Sequence, residues 1–149
     1  MSNFAERLSF VMKRENLSTV KLKKLVDIST TQIGRYLSGY YEPSLDNAIK
    51  LSTYFKCSLD YLLGLDEIPN RYGIYNKLNF EKFICRYYEL LKLNNTNHNR
   101  VSIEAKFNRN NLIYWQKNKS LPTLDILYKL SIQLHVNVEY LIGRTDIRR

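Results

Sequence analysis

Apolar residues along the chain recur three and four apart in short blocks, and most blocks open with a serine, threonine or asparagine. Phe4, Leu8, Val11 and Met12 form the first block, with Asn3 ahead of them as a cap, and predict a helix ending near Asn16. Ser18 and Thr19 open a second, shorter helix that turns Leu22 and Val26 inward. Asp27 then lies where the chain must turn sharply, and aspartate tolerates the left-handed conformation better than most residues. Residues 29–39 predict a third helix, with Ser29 as its cap and Gly39 closing it. At about 100° per residue, Ile33, Tyr36 and Leu37 share one side of that helix and Thr31, Arg35 and Ser38 the other. One face anchors and the other looks outward, and the two short helices with their tight turn make a helix-turn-helix. Pro43 stops anything helical, Ser44 caps a fourth helix with Leu45, Ala48, Leu51 and Phe55 inward, and Ser58 caps a last short turn, Leu59 to Leu63, closed by Gly64.

The same pattern returns 79 residues later. Residues 43–64 and 122–143 share nine identities in 22 ungapped positions, where ordinary residue usage gives roughly one. Phe83, Tyr87, Leu90 and Leu91 stand 79 residues after the first apolar block. The chain therefore reads as two copies of one domain: residues 1–66, a linker over 67–79, and a divergent second copy over 80–149. In the second copy Leu112 and Trp115 take the anchoring places of Ile33 and Tyr36, while Asn110, Tyr114 and Lys117 take the outward ones. Asn108 stands in for the serine cap and Asn118 for the closing glycine. Ile68, Tyr72, Ile74, Tyr75 and Leu78 make the linker too apolar for a free tether, so it is expected to pack.

Composition narrows the class of partner. The net charge of +9 favours a polyanion, with residues 1–66 at +2 and residues 80–149 at +6, which predicts stronger phosphate attraction in the second copy. Arg144, Arg148 and Arg149 are expected in a solvated tail. Cys57 and Cys85 have neither metal-ligand nor disulfide spacing and are expected to be small buried hydrophobes. His98 and His135 lie far from any cysteine or acidic cluster, so no metal and no cofactor are expected. No phosphate loop, activated nucleophile or paired carboxylates suggest an enzyme. No apolar stretch approaches a membrane span, which predicts a cytoplasmic protein. Of the tyrosines, Tyr36, Tyr54, Tyr61, Tyr87, Tyr128 and Tyr140 are expected at or near inward positions, and Tyr40, Tyr41, Tyr72, Tyr75 and Tyr114 at the surface.

Leu17–Ser18 through Ile28–Ser29, Ile33, Arg35–Tyr36, Ser38–Gly39, Glu42–Leu45 and Ser58–Gly64 together resemble the Cro-like phage-repressor (xenobiotic-response-element) family of helix-turn-helix proteins. Trp115, Pro122–Leu124 and Val138–Gly143 carry the resemblance, more weakly, into the second copy. It implies an all-α fold of two tandem five-helix lambda-repressor-like domains. It also implies a helix that enters the DNA major groove. By position, the implied base readers are Thr30, Thr31, Gln32 and Arg35, with Arg109, Asn110, Asn111 and Tyr114 in the second copy. Arginine suits guanine, asparagine and glutamine suit adenine, and threonine methyls suit thymine. The implied phosphate contacts are Thr19, Ser38, Tyr40 and Tyr41, with Asn97, Arg100, Lys117 and Lys119. The chain departs from the family at Lys23 and Ser102, where alanine is usual, and at Asp27 and Lys106, where glycine often stands.

The expected function is sequence-specific recognition of double-stranded DNA by a transcriptional regulator, a repressor acting through two non-identical modules. Fifteen extended residues, 65–79, reach about 50 Å, more than the ~34 Å between successive major grooves on one face of the duplex. A homodimer is compatible with the sequence, although no sustained heptad marks an oligomerisation segment. The alternative is a protein-interaction or antitoxin-like module in which the second copy binds a protein partner. Joint exposure of Ile113 and Tyr114 would favour it.

Overall fold

A computed structural model describes residues 2–73 and 75–149; Ile74 of the expected linker lies outside the described residues. Among these residues there are ten α-helices and no strand, and no helix is long and apolar enough to cross a membrane. The chain divides into two compact units, residues 1–71 and 72–149.

The first unit holds α1 (Phe4–Arg14), α2 (Thr19–Val26), α3 (Thr30–Ser38), α4 (Leu45–Phe55) and α5 (Leu59–Leu62). Four serines set the starts: Ser18, Ser29, Ser44 and Ser58 each accept a hydrogen bond from the backbone N–H three residues on, satisfying donors that the helix itself leaves open. Asn3 does not cap in this way. Its side chain makes no capping bond; its N–H donates to the Leu63 carbonyl and its side chain lies against Gly64, so it ties the helix start to the end of α5 instead. Asp27 has φ 56° and turns the chain between α2 and α3. Leu8, Leu22, Ile33, Leu51 and Leu59 are fully enclosed, and α3 packs on both α1 and α2.

The second unit holds α6 (Phe80–Leu93), α7 (His98–Ala105), α8 (Asn111–Asn118), α9 (Leu124–Leu134) and α10 (Val138–Leu141). Lys106 takes the left-handed turn between α7 and α8 with φ 60°. The core is more aromatic: Phe83 and Tyr87 stack at 5.7 Å, and Trp115 meets both edge-on. Stretches read as linker are fastened to their own units. The Ser58 N–H donates to the Pro69 carbonyl in the first, and Asn76 and Asn79 N–H donate to the Arg144 and Ile142 carbonyls in the second.

One side-chain arrangement occurs in both units at the same offset of 79. In the first, Arg7 donates to the Asp66 carbonyl, pairs with Glu67 at 2.8 Å and lies over the Tyr61 ring at 4.3 Å. In the second, Arg86 donates to the Thr145 carbonyl, pairs with Asp146 at 2.6 Å and lies over Tyr140 at 3.9 Å. Each clasp joins the unit's first helix to the segment after its last, combining a charge-assisted hydrogen bond with a cation–π contact.

Three sequence expectations change here. Cys85 is exposed while Cys57 is buried, because Cys85 falls on the outer side of α6. Tyr72 is buried, with its ring edge-on to Tyr75 at 6.4 Å. Arg144 is no tail residue: it is 4% exposed, pairs with buried Glu139 at 3.2 Å and lies over the Tyr75 ring. A guanidinium there is held by ion pair and ring together, since an unpaired one would keep its full desolvation cost.

Gly64 has φ +80°, and a Cβ there would stand 2.8 Å from Asn3 Cβ, whereas Gly34, inside α3, faces open space. Gly64→Ala is therefore expected to lower stability by at least about 1–2 kcal/mol and Gly34→Ala to raise it by about 0.5–1 kcal/mol, both read from urea denaturation. Hydrogen bonds from Arg86 and then Lys82 hold the Asp146 carboxyl below its usual range. Because the folded value is the lower one, this contribution is complete above the unfolded value of about 3.9 and is lost as pH falls through the folded one. Amide protection of residues 144–149, after correction for the intrinsic exchange rate, should fall on acidification below about pH 4, and Asp146→Asn should remove that acid-dependent step.

Candidate nucleic-acid interface

The outer side of α3 follows from how its inner side is held. Tyr36 is buried, meets Phe4 edge-on at 6.4 Å and accepts a hydrogen bond from Asn47 Nδ2 at 2.9 Å, so α3 is pinned to α1 and α4 by one side chain. Ile33 is fully buried beside it and Leu37 half-buried. With these inward, Thr31, Gln32, Arg35 and Ser38 are exposed and Thr30 is half-buried. Ser29 Oγ accepts from the Gln32 N–H at 3.1 Å, and Gly39 closes the helix with φ 83°. Arg35 lies over the Tyr41 ring at 5.5 Å, which brings together a side chain expected to read bases and one expected to meet phosphate. Ser38 Oγ donates to the Arg35 carbonyl and accepts from the Tyr40 N–H. Tyr40 is 85% exposed, and Thr19 is half-buried at the start of α2.

The corresponding part of the second unit starts differently. Asn108 Oδ1 accepts from the N–H of Asn110, two residues on rather than three, and the Asn108 and Arg109 carbonyls accept from Asn111 and Leu112. This is a tight turn followed by a helix, so Arg109 and Asn110 precede α8 where Thr30 and Thr31 lie inside α3. The far end also differs from expectation. Asn118 is the last helical residue, its amide donating to the Tyr114 carbonyl, and Lys119 takes the left-handed position with φ 48°. Trp115 is buried and Leu112 half-buried, leaving Asn110, Ile113, Tyr114 and Lys117 exposed and Asn111 half-buried. Asn97 is occupied as the cap of α7, accepting from the Arg100 N–H.

Sequence reasoning missed what holds this turn. The Tyr87 hydroxyl meets His98 Nδ1 at 2.6 Å, and His98 Nε2 meets the Arg109 carbonyl at 2.8 Å. A carbonyl only accepts, so Nε2 carries a proton, and in the neutral ring Nδ1 then accepts from the phenol. Burial raises the Tyr87 phenol well above its usual range, which keeps it a donor. The signal available in the sequence was a double change at the offset of 79: Tyr87 and His98 stand where the first copy has Leu8 and Thr19.

Four cations of the second unit are paired within it, Arg144 with Glu139, Arg86 and Lys82 with Asp146, and Lys129 with Asp125. Around the two helix pairs the balance is similar: four basic and one acidic residue in 18–41, five and one in 97–119. Among the described residues there is no group of three or more histidine, cysteine or acidic side chains placed to hold a metal.

Residues 11–62 match the family model described as helix-turn-helix. They form one helix-turn-helix domain. The chain is 26% identical over 69 residues to the HTH-type transcriptional regulator ImmR of Bacillus subtilis (strain 168), a match covering 46% of this chain and 54% of that protein. The chain thus spans about half the length of the curated relative it matches. Among solved structures, the P22 c2 repressor in complex with a synthetic operator is 30% identical, with TM-score 0.41, over 44% of this chain and all of that one. A transcriptional regulator from Listeria innocua is 26% identical, also with TM-score 0.41, over 68% of this chain and 85% of that one.

The Ser29 cap carries a direct consequence for the outer face, since it orders the turn that bears Thr30 to Gln32. Ser29→Ala is expected to cost about 1 kcal/mol of stability and to speed amide exchange at Gln32 ahead of the rest of α3, measured by native-state exchange.

Proposed function

We propose that the chain is a sequence-specific double-stranded DNA-binding transcriptional regulator, a repressor that occludes a promoter, with α3 as its principal reading helix. The carrying observation is the outward stripe of α3. Thr31, Gln32 and Arg35 are exposed along one side of a helix capped at both ends and pinned by Tyr36, inside the segment that matches the helix-turn-helix family. Such a helix presents donors and acceptors to base edges in the major groove. Lys21, Lys23 and Lys24 on the preceding helix add positive charge for phosphates. Regulation of transcription is what the name of the Bacillus relative states, and it supports the same reading here.

In this proposal residues 80–149 are a second, divergent helix-turn-helix module, and one chain meets two unlike half-sites. The repeat at 79 supports this, as does the recurrence of the Arg7 clasp at Arg86. Thr19, Ser38 and Tyr40 are proposed to hold phosphate in the first module, and Arg100, Lys117 and Lys119 in the second. A second reading, a protein partner for the second module, is favoured by one observation: Ile113 and Tyr114 are exposed together, at 64% and 60%.

Binding-site selection from random duplex DNA should recover a defined site whose affinity falls steeply with salt. Equal binding to random duplex at every ionic strength would refute the proposal. Gln32→Ala or Arg35→Ala should each relax preference at a single base pair by about 1–3 kcal/mol, while Lys24→Ala should weaken all sequences alike.

A further inference from the structure

We infer that the outward stripe of α8 reads an A·T-containing half-site, with Ile113 packed on the C5-methyl of a thymine and Asn110 paired to an adenine. This rests on the DNA-binding proposal and names what the second module recognises. Asn110, Ile113, Tyr114 and Lys117 are spaced three and four apart and lie on one side of α8 and the turn that precedes it. Ile113 stands 79 residues after Gly34, a position from which a Cβ meets nothing within 4 Å, and it is itself 64% exposed.

An isoleucine held into solvent here needs an apolar partner, yet the helix pair that carries it is cationic overall. Residues 97–119 carry five basic side chains and one acid, Glu104. A protein interface excludes charge from an apolar core, whereas this stripe passes from carboxamide through isoleucine and tyrosine to lysine within two turns. The major groove supplies the matching surface: anionic rims for the lysines and arginines, and on its floor the thymine methyl, the apolar group that a base edge offers there. Asn110 is exposed and makes no capping hydrogen bond, which leaves its carboxamide for the two-point pairing that adenine accepts. His98 holds the carbonyl of the preceding residue, so this end of the stripe is positioned before DNA arrives.

The test uses the full chain and the duplex recovered by selection, replacing each thymine singly with deoxyuridine, which removes only the methyl. One replacement in the second half-site should weaken binding about fourfold, the effect of one apolar carbon returned to water. Ile113→Ala should weaken the parent duplex comparably and bind the thymine and uracil versions equally, whereas Ile113→Val should keep the preference. Insensitivity of the unmodified protein to every replacement, or an equal loss in Ile113→Ala, would overturn the inference. So would an Ile113→Ala chain that binds all duplexes as the parent does, which would assign the stripe to a protein partner. Recovery of a first half-site without a second overturns this inference alone; recovery of no site overturns the regulator proposal itself.

Discussion

The burial of one aromatic side chain on the third helix of each unit governs what the rest of that helix can present. Tyr36 is wedged against Phe4 and held by Asn47, so the first unit's α3 cannot roll without opening a cavity and stranding a phenol. Both costs are large against the margin of stability of a small domain. Trp115 has the same place in the second unit, with Phe83, Tyr87, His98 and Phe107 around it. The outward stripe in each case is what the anchor leaves over.

The two units solve the same positioning problem with different chemistry. The first starts its third helix with a serine cap and ends it with glycine, both suited to their local geometry. The second begins with an asparagine turn and ends on Lys119 in a conformation that disfavours a Cβ. Its turn is fastened from behind, through Tyr87 and His98, to the buried core of α6. A tertiary hydrogen-bond relay thus takes over part of what a capping side chain does in the first unit.

Charge shows a parallel division. Counted along the sequence, the second unit is the more basic, yet Arg144, Arg86, Lys82 and Lys129 have carboxylate partners within it. The cations left to attract a polyanion lie mostly between Arg100 and Lys119, beside α8. Net charge already cancels such pairs; what it does not show is where the remaining excess lies, and around the two helix pairs the balance is similar, four basic and one acidic residue in 18–41 against five and one in 97–119.

By itself the sequence determined the helices of the first unit, their serine caps, the left-handed turn at Asp27, and the division of α3 into an anchoring and an outward side. These follow from periodicity and local hydrogen-bonding chemistry, which act within a few residues and so can be read from a few residues. Only the tertiary structure decided the rest. Asn3 binds the end of α5 rather than capping α1, Arg144 is buried on Glu139, Cys85 is exposed, and α8 begins after Asn110. Each of these depends on a partner beyond the neighbouring turn, Leu63 for Asn3, Tyr75 together with Glu139 for Arg144 and His98 for the turn before α8, or on which side of a helix the core happens to occupy. Side chains such as arginine, histidine and cysteine are equally at home in water and in a well-matched site, and only the packed chain supplies the match.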